Sequence, residues 1–263
     1  MGSDFAIIIS SCNDYSDVWQ PTIDSLYRNI HGLDVDIFLV VDFGEMDDHR
    51  VKIIQSGVGY SFGARLKRAL GVIEHEYVLF MLDDFALDST IYVDTIKEHL
   101  SHAVETDAAC LYIDYYKAKR TVSNMEYTLL NPVKRYCMDL SIALWRKAYL
   151  QDFLLNEWSP WDFERNSGLR YISLDSTALV IGVSDTYRQR TLRRVSPAGI
   201  IMKGEYTLSG YQYMQENGYA TGDRNVQDSI ENYLVSKYSV NRLKWGAFYL
   251  LLKVYKLWKN ARR

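Results

Sequence analysis

Four short runs early in the chain are apolar almost throughout: FAIIIS at 5–10, DIFLVV at 36–41, VKIIQ at 51–55 and YVLFML at 77–82. Each has the length of a strand, and the runs are too continuously apolar for strands with one wet face. Residues 18–29 read as a helix, and 62–73 carries Phe62, Leu66, Ala69, Leu70 and Ile73 at helical spacing. The pattern goes on with a helix over 91–105, a strand ACLYIDYY at 109–116 and an irregular stretch through 132. MDLSIALWR at 138–146 then predicts a strand leading into a helix that ends near 155. Pro160 in SPWDFERNSG marks a turn or helix start, ALVIGVS at 178–184 a further strand, and 185–220, rich in Gly, Tyr and Arg, reads mostly as loop.

Continuously apolar strands alternating with amphipathic helices predict an α/β fold: a mostly parallel central sheet flanked by helices on both faces. Such sheets bind ligands beyond the C-terminal ends of their strands. The polar clusters fall at those ends: Ser10 to Asp14, Asp42, Ser56 to Ser61, and Asp83 with Asp84. One domain over 1–240 with an appendage at 241–263 is the expected organisation, and no internal repeat or low-complexity tract interrupts it.

Composition narrows the classes. With 30 Lys plus Arg against 33 Asp plus Glu, and a formal charge of -3, nothing points to a nucleic-acid partner. Three widely spaced cysteines, Cys12, Cys110 and Cys137, suit a reducing compartment and form neither a disulfide framework nor a zinc cluster. The start MGSDF lacks the pattern of a signal peptide, and no apolar run has the roughly 18 residues needed to span a bilayer. A cytoplasmic location is expected, with attachment to the inner face of the cell membrane left open.

Asp83 and Asp84 directly follow an apolar strand. An unpaired carboxylate inside a sheet is costly, so the pair marks where the strand emerges. Neighbouring residues on an extended chain point to opposite sides, and both can face one ligand only where the backbone turns. Two readings stand: a carboxylate for a hard cation such as Mg²⁺ or Mn²⁺, or a cap for the helix that follows.

The order strand, polar loop, helix, strand, Asp, short strand, small loop, helix, strand, Asp-Asp resembles the GT-A nucleotide-diphospho-sugar glycosyltransferases, especially bacterial family 2-like enzymes that build cell-surface polysaccharides. The likeness covers roughly residues 5–185 and lies more in layout than in any one string. It implies a base-binding loop at Ser10, Ser11, Cys12 and Asn13 with Tyr15 nearby, a nucleoside contact at Asp42, and nucleotide contacts from Gly59, Tyr60, Ser61 and Arg65. It also implies a ribose contact at Asp83 and Mn²⁺ or Mg²⁺ at Asp84. The family's Asp-X-Asp triplet is not intact, since Leu82 and Phe85 flank the pair. SPWDFER at 159–165 resembles the element that carries the acceptor's base, with Asp162 and Glu164 as alternatives. The implied reaction moves a sugar from a nucleotide-diphosphate donor to a saccharide or lipid-linked saccharide acceptor, with inversion.

Two other readings fit the same residues. A sugar nucleotidyltransferase would want a glycine-rich basic loop after the first strand, and SSCNDYSD has neither Gly nor Lys or Arg. A carbohydrate-binding scaffold without turnover would tolerate the altered triplet. Arg188, Arg190, Arg193 and Arg194 are candidates for the diphosphate or a solvated basic loop, and His99 and His102 read as ordinary helix residues. The tail from 241 has seven Lys or Arg, no acidic residue and several aromatics; an amphipathic helix there would meet a membrane surface, the domain itself, or a second copy in a homodimer.

Overall fold

A computed structural model describes residues 5–227 apart from residues 135 and 175. The first strand, β1 (Phe5–Ser10), is buried along its whole length. A 3₁₀ turn at Asn13–Val18 leads into α1 (Trp19–Asn29), then β2 (Ile30–His31), β3 (Ile37–Val41) and β4 (Lys52–Gln55). Next come α2 (Phe62–Val72), β5 (Tyr77–Leu82), β6 (Ile91–Tyr92), α3 (Val93–Glu105), β7 (Ala108–Tyr112) and α4 (Tyr115–Ala118). The chain continues through β8 (Tyr127–Leu129), β9 (Ala143–Arg146), α5 (Lys147–Phe153), α6 (Pro160–Ser173) and β10 (Leu179–Val183). It closes with the hairpin β11 (Ile201–Met202) and β12 (Glu205–Tyr206) and with α7 (Leu208–Glu216).

The main sheet has the order β4-β3-β1-β5-β9-β7-β10-β8, and β9 and β8 run against the other strands. Both faces of its centre are covered, which is why β1, β3 and β5 read as apolar throughout; β4, at the edge, departs from that expectation, with Lys52 and Gln55 exposed and Ile53 and Ile54 half-buried. Phe5, Ile7 and Ile9 pack with Trp19, Ile23 and Leu26 of α1 on one side. Ala6 and Ile8 pack with Phe62, Leu66 and Leu70 of α2 and Phe163 of α6 on the other. Each buried Ile, Leu or Phe contributes about 1.5–3 kcal/mol by leaving water, so these two layers hold the strand ends in place. The expected GT-A-like architecture, a mostly parallel sheet between helical layers, is the one the chain adopts.

Two element readings are corrected. The strand at 109–116 stops at Tyr112, because the buried Asp114 carboxylate accepts from the amides of Tyr116 (2.8 Å) and Lys117 (3.1 Å) and starts a helical turn. The stretch 185–220 is far from being mostly loop: it holds β11, β12 and α7. These build a third core from Ile200, Ile201, Tyr206, Tyr213 and Met214 against Val18 and Ala86. Tyrosines and glycines blurred the helical period of α7, whose Gly210 is needed because a Cβ would stand 2.4 Å from the Ile200 carbonyl oxygen. The aromatic tail at 241–263 lies outside the described residues. No helix among the described residues is long and apolar enough to cross a membrane.

The topology also dictates where a ligand fits. From β1 the chain crosses to β3 on one side, and from β4 it returns to β5 on the other side of β1. The C-terminal ends of β1 and β5 therefore flank a topological switch point, where open α/β sheets leave a crevice.

Candidate functional site

The crevice is occupied by a cavity of about 360 Å³. Ser10, Ser11, Tyr15, Arg65, Asp83, Asp84 and Glu164 all line it, together with Trp161, Arg194 and the Ile201–Lys203 edge of the hairpin. Of the residues that the resemblance places at the donor and acceptor, Asn13, Asp42, Gly59, Tyr60, Ser61 and Asp162 are not among its walls, and Ser61 instead caps α2.

The two aspartates reach the cavity together because β5 ends at Leu82 and the backbone turns, with the Phe85 amide donating to the Leu82 carbonyl at 3.3 Å. Neither caps α3, which begins at Val93 after Tyr92. Asp83 is fixed on several sides. Its carboxylate accepts from the Ser11 hydroxyl, Ser11 accepts from the Trp19 indole N–H at 2.5 Å, and Thr22 donates to the Asp83 carbonyl at 2.5 Å. Burial, reinforced by the neighbouring Asp84 charge, pushes the Asp83 carboxyl well above the usual range, against the pull of the Ser11 hydrogen bond.

Asp84 turns toward the segment that follows Arg194. That segment runs antiparallel beside 84–88: the Val195 amide donates to the Ala86 carbonyl (2.8 Å), and the Ile200 amide to the Asp84 carbonyl (2.7 Å). Gly199, at φ +83, lies so close to Asp84 that a Cβ there would stand 2.1 Å from Oδ2. Burial pushes the Asp84 carboxyl up to about 7, with the Arg194 charge opposing it. Its Oδ1 is buried and has no hydrogen-bond partner.

Asp42 and Asn13 act one layer back. The Asp42 carboxylate accepts from the Asn13 amide (3.1 Å) and pairs with Arg65 Nη1 (2.6 Å). The Asn13 side chain ties the loops after β1 and β3 through the Asp42 amide (3.2 Å) and the Phe43 carbonyl (2.9 Å). Asp42 therefore sets the position of Arg65, which does reach the cavity. Tyr60 is half-exposed, with the Arg68 guanidinium stacked over its ring at 4.7 Å. Tyr15 lies beneath Arg224 at 5.0 Å, and burial, with the Asp84 and Asp83 charges, raises its phenol.

The sequence left Asp162 and Glu164 as alternatives, and the structure separates them. Asp162 is the N3 residue of a capping box on α6: its carboxylate accepts from the Ser159 amide (3.1 Å) and hydroxyl (2.6 Å), and its own amide donates to Ser159 Oγ (3.2 Å). Ser159 and Arg165 hold this carboxyl below its ordinary range. Glu164, two residues on, projects to a different side of the helix and lines the cavity.

The arginine cluster divides in the same way. Arg188 pairs with Asp185 (3.1 Å), Arg190 with Glu98 (2.6 Å) and Glu126 (2.7 Å), and Arg193 with Asp88 (2.6 Å). Arg194 alone of the four lines the cavity, pinned by Asp114 (2.9 Å) and stacked on Phe85 at 4.1 Å. The hairpin wall was not legible in the sequence, where the glycine in SPAG has no meaning apart from the Asp84 carboxylate it packs against.

A divalent cation can be tested against these residues. Among the described residues no three His, Cys, Asp or Glu side chains form a self-contained metal site. The donor set does fit a cation that takes one or two carboxylates from the protein and the rest from phosphate and water. The orphaned, buried Oδ1 of Asp84 is the oxygen that such an ion would satisfy.

No protein-family model matches the chain, and no curated protein does. Among solved structures, S. aureus TarS 1–349 is similar at a TM-score of 0.49 and 16% identity, over 82% of this chain and 64% of that one. The same fragment in complex with UDP-GlcNAc gives 0.47 and 15%, over 82% and 65%. A CMP:2-keto-3-deoxy-manno-octonic acid synthetase complexed with CTP gives 0.39 and 16%, over 69% and 90%. The chain spans less than two thirds of these TarS structures, and likeness at this distance carries neither substrate nor mechanism to it.

Proposed function

We infer that the chain transfers a sugar from a nucleotide-diphosphate donor to an acceptor hydroxyl. The observation that carries this reading is the convergence, at the switch point of the sheet, of a polar loop, a buried carboxylate pair, an anchored arginine and a separate helix-borne carboxylate around one cavity. A nucleoside would lie along Ser10, Ser11 and Tyr15, with Asp83 toward its ribose. Arg65 and Arg194 would face the diphosphate, where a planar guanidinium suits phosphate oxygens. When bound at Asp84, a divalent cation supplies charge neutralisation of the departing diphosphate.

Glu164 is the proposed base. The acceptor oxygen forms a bond to the anomeric carbon while the bond from that carbon to the phosphate oxygen breaks. The hydroxyl proton passes to the Glu164 carboxylate, and the bonding electron pair leaves with the diphosphate. One displacement inverts the anomeric centre. The wall of Trp161 beside Glu164 offers an aromatic face to a sugar ring.

Calorimetric titration with UDP, GDP, TDP and CMP, each with and without Mn²⁺, tests the donor site. We expect one nucleotide to bind, more tightly with metal, and Asp84→Ala to lose about tenfold or more of that affinity. No binding by any nucleotide, or equal metal-free binding by the variant, would overturn the reading.

A further inference from the structure

A second cavity of about 360 Å³ adjoins the first and shares Phe85, Leu140, Glu164, Arg194 and Pro197 with it. Taken whole, its lining differs from the first in charge. Lys117, Lys119, Arg120 and Arg194 stand against only Asp139 and Glu164, in a chain whose formal charge is -3. Two of the four cations are committed. Lys117 is buried against Asp139 (3.0 Å) and the Tyr136 carbonyl (3.3 Å), and Arg194 is held by Asp114 (2.9 Å).

Lys119 and Arg120 differ from these. They follow α4 on the exposed rim, and among the described residues neither forms an ion pair with a carboxylate; Lys119 lies over the Tyr115 ring at 4.7 Å and the Tyr116 ring at 5.7 Å. The short helix that presents them is fixed by the Asp114 cap. A concave wall with excess positive charge, two of its cations uncommitted, concentrates anions, and a guanidinium beside an ammonium binds phosphate or carboxylate oxygens with charge-assisted hydrogen bonds.

We propose that this second cavity is the acceptor subsite and takes a saccharide or polyol bearing an anionic group, held by Lys119 and Arg120. The inference rests on the transferase reading: the wall shared by the cavities carries Glu164, so an acceptor in the second would present its hydroxyl to the base and to the donor's anomeric carbon. Phosphate and carboxylate share the chemistry and are separated by the test.

The full chain is titrated with glycerol 3-phosphate, glucuronic acid, glycerol and glucose, in wild type and in Lys119→Ser combined with Arg120→Ser; the nucleotide panel is run on both proteins. We expect an anion to bind and the neutral compounds not to, with about tenfold or greater loss in the double variant and unchanged nucleotide affinity. Binding of glycerol 3-phosphate alone assigns a phosphate-bearing acceptor, and of glucuronic acid alone a carboxylate-bearing one. Neutral compounds binding as well as the anions, no anion binding, or undiminished anion binding by the variant overturns the inference. If no nucleotide binds while the anion still depends on Lys119 and Arg120, the transferase reading and the acceptor role fall together and only the anion site remains. If nucleotide binds without discrimination between anionic and neutral compounds, the inference alone falls.

Discussion

Asp84 stands where stability and binding compete. A buried carboxylate with an oxygen lacking any donor destabilises the fold while it stays ionised. Burial raises its folded pKa from 3.8 to about 7, so the penalty is absent below 3.8 and grows as pH rises to about 7. We expect Asp84→Asn to stabilise the ligand-free protein by roughly 1–3 kcal/mol at about pH 8 and by much less near pH 4. The same substitution should remove the metal-dependent part of nucleotide binding. Urea unfolding at the two pH values reads the first effect, and an equal change at both would show that ionisation of this carboxylate is not its origin.

At the scale of elements, the segment from Arg194 to Met202 determines the shape of the site. It pairs with the chain just after Asp84, places Gly199 under that carboxylate and carries the hairpin wall. Tyr206 donates to Asp17 at 2.8 Å, and Arg224 pairs with Asp17 at 2.8 Å, so the hairpin is tied back to the turn that follows β1. Gly204 shares the φ of +83 found at Gly199, but nothing lies within 4 Å of where its Cβ would be. Gly204→Ala should therefore cost only the backbone penalty of about 1 kcal/mol and leave nucleotide affinity intact. Gly199→Ala should cost roughly 2–4 kcal/mol and displace Asp84, with loss of nucleotide binding. Thermal melts and titrations on the two variants separate backbone strain from the clash; similar behaviour of both would count against the role assigned to Gly199.

Across the whole molecule, a histidine outside the cavity contributes a pH-dependent stability opposite in sign to that of Asp84. His99 on α3 is fully buried. Its Nε2–H donates to the Arg190 carbonyl (2.8 Å), so Nδ1 accepts from the Tyr127 hydroxyl (2.9 Å), and α3, β8 and the 3₁₀ turn at Asp185–Arg190 are joined in one network. Burial lowers its pKa from 6.5 to about 4. At this residue the unfolded chain takes up a proton below 6.5 and the folded one does not until about 4, so the stability contributed by His99 falls across that window as pH falls. The loss amounts to about 3 kcal/mol at its acid end. His99→Gln is expected to be less stable at neutral pH and to show a flatter acid slope, measured by urea midpoints through the window. An unchanged slope would show that His99 does not contribute the acid term assigned to it.

The sequence by itself determined the alternation of strands and helices, the two-sided burial of the sheet and the position of its polar strand ends. Those properties depend on local period and on which side chains avoid water, and both are written in consecutive residues. It also singled out Asp83 and Asp84, since two acids after an apolar strand are locally conspicuous. Tertiary structure alone decided which of the named residues meet. Asp162 was separated from Glu164 by a capping box, Arg194 from its three neighbours by pairing with a fully buried carboxylate where theirs are exposed or half-buried, and Asp42 was set one layer behind the cavity by Asn13 and Arg65. The hairpin wall and the second cavity join residues far apart in the chain, where no periodicity connects them. Contacts of that kind depend on packing between elements, which a one-dimensional pattern does not encode.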